Sequence, residues 1–173
     1  ADPVQAVAVV LGAHPAQPAW DALGGTDRAA RLIRAADLFE AHATEFFSLC
    51  QREAGKTLAD AVLELREAVD FLRYYAGEGR MLFAGPQPLP GPTGERNLLR
   101  LHGRGVFATI SPWNFPLSIF IGMASGALAA GNTLILKPAS ASPLTAIRLG
   151  ELSLEAGIPP GVVTVVAGPG GTD

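Results

Sequence analysis

Two short polar segments within the most apolar part of the sequence contain the side chains best suited to chemistry. Trp113-Asn114 stands between Pro112 and Pro116, and Lys137-Pro138 ends the apolar run that comes later. An amide held in a rigid loop can donate a hydrogen bond to a developing oxyanion, and removing one such donor from an acyl-transfer site costs about 3–4 kcal/mol. Asn114 could instead cap the helix that follows it, and the residue pattern taken alone favours this structural role.

Lys137 and a glycine-rich segment near the end of the sequence are suited to binding a nucleotide. A lysine at a strand end can donate hydrogen bonds to ribose hydroxyls or pair with a phosphate. Gly168–Gly171 would let the backbone come close to an adenine or a phosphate. The segment lacks the complete glycine fingerprint of dinucleotide-binding folds, so an ordinary strand-to-turn connection explains it about as well.

The single cysteine, Cys50, could serve as a nucleophile or as a small buried hydrophobic residue. It lies among the apolar residues Phe46, Phe47 and Leu49 of a predicted helix. The sequence around it offers no histidine or asparagine in a turn or at a strand end that could activate a thiol. We therefore expect Cys50 to be buried and structural.

The elements that must position these groups follow from the apolar runs. Val106–Ile110 and Thr133–Leu136 are predicted strands joined by a helix over Leu117–Ala130, an order that predicts one parallel crossover unit. Val162–Val166 is predicted to be a third buried strand. Ligands of such sheets bind beyond the carboxyl ends of the strands. Three segments should therefore meet at one crevice: Ser111–Asn114, Lys137–Ser140 and Gly168–Gly171.

The first half of the sequence is predicted to be helical. One helix begins at a cap formed by Thr26 or Asp27, and a second covers Ala43–Glu53 and ends at Gly55. A long helix over Thr57–Phe83 combines an apolar stripe with acidic residues that we expect on its solvated face. The stripe consists of Leu58, Val62, Leu65, Val69 and Leu72, and the acidic residues are Asp60, Glu64, Glu67 and Asp70.

The remaining segments are assigned by their turn residues and alternation. Val7–Leu11 fits a short strand and a helical turn equally well. Alternating prolines predict an extended linker over Ala84–Glu95, and Asn97–His102 alternates as a strand does. A final helix is expected to begin with Ser142 as its cap and to run to about Ala156.

Composition excludes several classes of function. The 173 residues carry a net charge of −3, which provides no basic field for nucleic acid. One cysteine permits no internal disulfide, and the N-terminus is a poor signal peptide, so we expect a cytoplasmic location. Pro116 and Gly131-Asn132 divide the apolar stretch Phe115–Leu136 into pieces too short for a membrane span. No bound metal is expected.

Several motifs resemble those of a known family. Ser111–Pro116, Ala130–Thr133 and Leu136–Ala139 resemble the cofactor-domain core of the aldehyde dehydrogenase superfamily. Four further segments resemble the L-glutamate-γ-semialdehyde (1-pyrroline-5-carboxylate) dehydrogenase module of bifunctional proline utilization A flavoproteins: Arg52–Thr57, Ala68–Ala76, Gly91–Glu95 and Gly103–Val106. The resemblance covers nearly the whole chain.

The resemblance implies an α/β fold in which a helical lead-in precedes the first part of a Rossmann-like parallel sheet. We expect an N-terminal helical part over residues 1–84, a linker with the start of an oligomerisation β-flap over residues 85–105, and a partial NAD-binding core over residues 106–173. Leu89–His102 looks like the start of this flap, and the resemblance therefore implies a homo-oligomer.

The same resemblance suggests a role for each site residue. Asn114 matches the oxyanion-hole amide, Lys137 matches the lysine that reaches the adenosine ribose, and Ser140 stands where many NAD-preferring relatives have glutamate. Loss of that carboxylate would make NADP acceptable as well as NAD. The remaining matches are the backbone wall of the dinucleotide site, Ile110, Ser111, Pro112 and Trp113, and the turn near the adenine, Gly168 and Gly170.

The implied reaction is oxidation of L-glutamate γ-semialdehyde to L-glutamate through a cysteine thiohemiacetal, with NAD as acceptor. We expect the nucleophilic cysteine and the general-base glutamate to lie beyond Asp173, so that the chain alone is inactive. FAD is expected only if a proline dehydrogenase domain precedes Ala1. The alternative is a non-catalytic module that serves oligomerisation or closes a neighbouring active site.

Overall fold

A computed structural model of the chain describes residues 3–168. Within this range it contains seven helices and five strands, in an order that matches the predicted helical lead-in and α/β core. The elements are α1 (Pro3–Ala13), α2 (Gln17–Ala22), α3 (Gly24–Ala41), α4 (Ala43–Ala54), α5 (Leu58–Leu82), β1 (Gln87–Leu89), β2 (Asn97–Leu99), β3 (Val106–Ile110), α6 (Ser118–Ala129), β4 (Thr133–Lys137), α7 (Pro143–Glu155) and β5 (Val163–Val165).

The parallel sheet has the strand order β3-β4-β5. Val106 pairs with Thr133 at one end of the β3–β4 ladder, and Ile110 pairs with Lys137 at the other. Helix α6 connects β3 to β4, and α7 connects β4 to β5, so each connection is a crossover. Leu134 and Leu136 are fully buried because β4 is the central strand and helices pack against the sheet. The predicted crossover unit and third strand are confirmed, although β5 is half-buried and not fully buried as expected.

The helical layer packs around α5, which contacts both α3 and α6. Phe39 and Phe46 stack with their ring centroids 4.7 Å apart, and this pair joins α3 to α4. The buried indole of Trp20 donates a hydrogen bond of 3.1 Å to the carbonyl oxygen of Leu128 at the end of α6. One continuous core therefore includes residues from the lead-in helices and from the sheet unit.

Two predictions about the N-terminal helices needed the structure. Val7–Leu11 belongs to the helix α1, which resolves the strand-or-helix ambiguity. The predicted cap at Thr26 or Asp27 is wrong: α3 begins at Gly24, with Leu23 at the cap position in helical backbone geometry. The short helix α2 leads through Leu23 directly into α3, so the chain enters the new helix without the extended residue that a side-chain cap requires.

The long helix α5 matches its predicted range, and the hydroxyl of Thr57 accepts a hydrogen bond of 3.1 Å from the amide of Asp60 at its start. Leu65, Val69 and Leu72 are buried as expected. Leu58, in contrast, is exposed. The placement of Glu64 on the solvated face is wrong, because this carboxylate is almost completely buried.

The linker contains a small antiparallel sheet in which Gln87 pairs with Leu99 and Leu89 pairs with Asn97. Strand β2 ends at Leu99, earlier than the predicted strand over Asn97–His102. The three-part domain division by residue range stays a prediction. Within residues 3–168, no helix combines the length and the apolar character needed to cross a lipid bilayer.

Candidate functional site at the carboxyl edge of the sheet

The carboxyl ends of the three parallel strands lie side by side. The amide of Ser111 donates a hydrogen bond of 3.2 Å to the carbonyl oxygen of Lys137, which extends the β3–β4 ladder by one step. The amide of Val166 donates a bond of 2.8 Å to the carbonyl oxygen of Leu136, which aligns the end of β5 with β4. The structure thus places the predicted segments Ser111–Asn114 and Lys137–Ser140 at one edge of the sheet.

The loop after β3 presents a mostly apolar surface at this edge. Ile110 is 74% exposed and Trp113 is 58% exposed, whereas Ser111 is buried and Pro112 is half-buried. Exposing large apolar side chains to water costs free energy in proportion to the exposed area. This surface is therefore suited to contact the flat face of a ring or another apolar surface.

Asn114 is exposed beside this surface. The alternative that Asn114 caps the following helix is wrong, because another residue has that role. Oε2 of Glu64 accepts hydrogen bonds from the amides of Leu117, at 3.2 Å, and Ser118, at 2.8 Å, at the start of α6. The carboxamide of Asn114 is not needed for capping and remains available for a ligand.

Lys56 completes the contacts beneath the loop. Its Nζ lies 3.0 Å from Oε1 of Glu64, an ion pair whose angles fall outside hydrogen-bond geometry, so the attraction is chiefly electrostatic. The same Nζ lies 4.0 Å from the centroid of the Phe115 ring, the distance of a cation–π contact.

Sequence reasoning missed Lys56 and Glu64, although one signal for Glu64 was present. Along α5, Ala61 lies three residues before Glu64, Leu65 follows it directly and Ala68 lies four residues after it. All three are buried. A residue with such neighbours faces the core, because positions i, i+3 and i+4 share one face of a helix. The pattern of small and apolar residues thus indicated that Glu64 was buried.

Lys137 and Ser140 occupy the loop after β4. The ammonium of Lys137 is half-buried and donates a hydrogen bond of 2.8 Å to the carbonyl oxygen of Pro138. The hydroxyl of Ser140 donates a bond of 3.1 Å to the carbonyl oxygen of Gly168. Ser140 and Gly168 therefore meet as the strand order predicts, and Gly170 lies outside the described residues.

Cys50 is fully buried in α4, as expected. Burial, helped by the negative charge of nearby Glu64, raises the pKa of the Cys50 thiol to about 12. A thiol with this pKa carries almost no thiolate near neutral pH, so Cys50 is not a nucleophile of this site.

A cavity of about 550 Å³ lies at the opposite, amino-terminal edge of the sheet. Its wall includes Asp21, Arg28, His102 and Gly103. The carboxylate of Asp21 accepts a hydrogen bond of 3.0 Å from the amide of Gly103 and lies 3.2 Å from Nδ1 of His102. These contacts attach the linker to the lead-in helices, and we assign them a structural role. Among residues 3–168, no group of three or more histidine, cysteine or acidic side chains could hold a metal ion.

Comparison with known proteins agrees with this geometry. The aldehyde dehydrogenase family model matches residues 1–172. The chain is 46% identical over 155 residues to the bifunctional protein PutA of Escherichia coli, covering 90% of this chain and 11% of that protein. It is 38% identical over 161 residues to 1-pyrroline-5-carboxylate dehydrogenase 1 of Halalkalibacterium halodurans, covering 93% of this chain and 31% of that protein.

A solved structure gives the same result for the fold. The crystal structure of a mutant proline utilization A (PutA) of Bradyrhizobium japonicum matches 98% of this chain and 18% of its own with a TM-score of 0.95, at 50% sequence identity. The chain thus spans between about a tenth and a third of the relatives described here. With a family model that matches nearly every residue and a fold shared at this identity, the chain belongs to the aldehyde dehydrogenase family.

Proposed function

We propose that this chain forms the cofactor-binding part of an NAD(P)-dependent aldehyde dehydrogenase that oxidises L-glutamate γ-semialdehyde to L-glutamate in proline catabolism. The observation that carries the proposal is the placement of an exposed, non-capping Asn114 beside the paired ends of β3 and β4. The choice of aldehyde is supported by the relatives, which bear the names PutA and 1-pyrroline-5-carboxylate dehydrogenase.

The residues at this edge fit a nicotinamide dinucleotide. Exposed Ile110 and Trp113 offer apolar contact for the cofactor, together with the backbone of Ser111 and Pro112. Lys137 would turn its ammonium from the carbonyl oxygen of Pro138 toward the ribose hydroxyls of the adenosine. When bound, the cofactor supplies the hydride acceptor for the oxidation.

The turn after β5 would lie near the adenine end of the same cofactor. Gly168 has no side chain to obstruct a close approach, and its carbonyl oxygen already accepts a hydrogen bond from the hydroxyl of Ser140. Gly170 is proposed to contribute in the same way. Because Ser140 places no negative charge there, a 2′-phosphate would meet no repulsion at this position, and the proposal includes NADP as an alternative cofactor.

Asn114 would stabilise the oxygen of the aldehyde as negative charge develops on it. An amide fixed in a loop donates its hydrogen bond without reorganising, so it favours the transition state over the ground state. The nucleophilic cysteine and the general base are proposed to belong to segments of the enzyme outside this chain. Cys50 is excluded by its burial and its raised pKa.

Two variants of the full-length protein that contains this chain test the proposal, with 1-pyrroline-5-carboxylate as substrate. Asn114→Ala should lower kcat about 10²–10³-fold while the Kd for NAD stays unchanged. Lys137→Ala should weaken NAD binding. Gln51→Ala, which removes an exposed amide on α4, is the control and should match the wild type. A protein that neither binds NAD nor forms NADH would contradict the proposal.

The linker favours one additional role. Strands β1 and β2 form a small sheet in which Leu89, Leu98 and Leu99 are all more than two-fifths exposed. Such an unpaired, apolar sheet is suited to β-strand association. We propose that it assists homo-oligomer formation, and deletion of residues 87–99 from the full-length protein should lower the oligomer mass in light scattering. If the full-length wild-type protein does not bind NAD, the alternative of a non-catalytic oligomerisation module becomes the leading account.

Two further features complete the proposal. A cytoplasmic location is supported by the single, reduced and buried Cys50, which needs no oxidising compartment. FAD would belong to a proline dehydrogenase domain of the same polypeptide, if the full-length protein contains one as its PutA relatives suggest. Ultraviolet–visible absorption of the purified full-length protein tests this directly, because a bound flavin absorbs visible light and the polypeptide alone does not.

A further inference from the structure

A buried ion pair lies directly beneath the segment that presents Asn114. Glu64 on α5 is almost completely buried, and Lys56, just before the same helix, is largely buried. The pair connects the start of α5 to the loop between β3 and α6, a segment more distant along the sequence.

Each charge of the pair has a second partner in the loop. The carboxylate of Glu64 accepts hydrogen bonds from the amides of Leu117 and Ser118. These amides are the free donors at the positive end of the α6 dipole. The ammonium of Lys56 lies over the face of Phe115 at 4.0 Å. The residue that follows Asn114 and the residues that begin α6 are therefore held by one ion pair.

The cost of burying this pair indicates that it has a specific role. A buried carboxylate and ammonium lose their hydration, and an apolar pair of similar volume is often as stable or more stable. Here the negative charge is matched by two backbone amides and one ammonium, so it fixes the position and direction of the helix start. A neutral side chain would leave the loop with fewer constraints.

We propose that Lys56 and Glu64 are positioning residues for the oxyanion-binding amide of Asn114. Neither residue touches the substrate. They hold Phe115 and the first turn of α6, so that the Asn114 amide stays directed at the developing oxyanion. The inference rests on the proposed function, since it assigns the ion pair a role only if Asn114 contributes to catalysis.

The test is a double-mutant cycle in the full-length dehydrogenase, with kcat measured well below the unfolding temperature of every variant. Glu64→Gln should lower kcat about 10–100-fold, since a misplacement of about 1 Å in a reacting group costs on the order of 10²-fold. The KM for NAD should change less than about twofold. Glu67→Gln, an exposed carboxylate on the same helix, is the control and should match the wild type.

The coupling separates positioning from a general loss of stability. If Glu64 acts through Asn114, the double variant Glu64→Gln/Asn114→Ala should be no slower than Asn114→Ala alone. Losses that multiply in the double variant would overturn the inference. So would a folded Glu64→Gln enzyme with the wild-type kcat.

Two further results keep the inference distinct from the proposed function. A large loss of kcat in Asn114→Ala with none in Glu64→Gln leaves the proposed function intact and overturns the positioning role. A wild-type kcat in Asn114→Ala overturns both. If Glu64→Gln fails to fold, Phe115→Leu replaces it, because this variant removes the cation–π contact without leaving an unpaired charge. It should lower kcat severalfold and show the same lack of additivity with Asn114→Ala.

Discussion

The carboxylate of Glu53, at the end of α4, caps helix α7 through Thr145. Oε2 of Glu53 accepts hydrogen bonds from the Thr145 amide, at 2.8 Å, and from its hydroxyl, at 2.7 Å. Oε1 accepts a third bond, of 2.7 Å, from the amide of Leu144. Ser142 was expected to cap this helix, but it occupies the cap position while Glu53 provides the acceptor. A residue distant in the sequence therefore satisfies the helix start.

Glu53→Ala should destabilise the packing of α7 against α4 by about 1–2 kcal/mol, because the variant leaves helix amides without their acceptor. The measurement is hydrogen exchange of the α7 amides in the full-length protein, resolved at peptide level. Glu67→Ala, an exposed carboxylate on α5, is the matched control. Unchanged protection of the peptide that contains Leu144 and Thr145 in the Glu53 variant would show that the cap contributes nothing.

Two helical glycines should respond in opposite ways to alanine. A Cβ at Gly25 would collide with the carbonyl oxygen of Gly79 where α3 crosses α5, so Gly25→Ala should destabilise the protein by about 1–3 kcal/mol. Gly77 has open space around its Cα, and Gly77→Ala should stabilise α5 by up to about 1 kcal/mol. Thermal unfolding of the full-length variants checks both signs, and a stabilised Gly25→Ala would contradict the observed close approach.

Cys50 should react with alkylating reagents only when the protein unfolds. Its burial and its pKa of about 12 leave almost no accessible thiolate at pH 8. Peptide mapping after iodoacetamide treatment should therefore find Cys50 unmodified in the native protein and fully modified in denaturant. Rapid labelling of the native protein at this position would contradict the buried geometry.

The same thiol predicts a dependence of stability on alkaline pH. The folded-state pKa, about 12, lies above 9.0, the ordinary pKa of a cysteine thiol, so between these values the unfolded state releases the thiol proton while the folded state keeps it. The contribution of Cys50 to the free energy of unfolding is full below pH 9 and falls as pH rises toward 12. Cys50→Ala should reduce this alkaline loss in denaturant titrations, and an equal slope for both proteins would oppose the prediction.

Cofactor preference should depend on Ser140. In the wild-type full-length enzyme we expect binding of NADP as well as NAD, because no carboxylate repels the 2′-phosphate at this position. Ser140→Glu should weaken NADP binding about tenfold or more and leave NAD binding equal or tighter, since a carboxylate can accept hydrogen bonds from the ribose hydroxyls. Isothermal titration with both cofactors provides the measurement, and a strong preference of the wild type for NAD would count against the prediction.

Much of the fold was predictable from local pattern. Apolar runs and small-residue spacing predicted β3, α6 and β4 within one or two residues, and Gly55 ends α4 in the left-handed conformation that glycine favours. The adjacency of Ser111 and Lys137 followed from the rule that carboxyl ends of parallel strands share an edge. These features depend on residues close in sequence or on topology, which a single chain reveals.

The sequence by itself determined the α/β crossover, the burial of Cys50 and the residues that meet at the carboxyl edge of the sheet. Only the tertiary structure decided how the starts of α6 and α7 are satisfied, because the acceptors come from remote elements: Glu53 for α7 and Glu64 for α6. The charge of Glu64 led to its predicted place on the solvated face, since charged side chains are normally solvated. The amides of α6 and the ammonium of Lys56 instead compensate its burial, and those partners lie together only after the chain has folded.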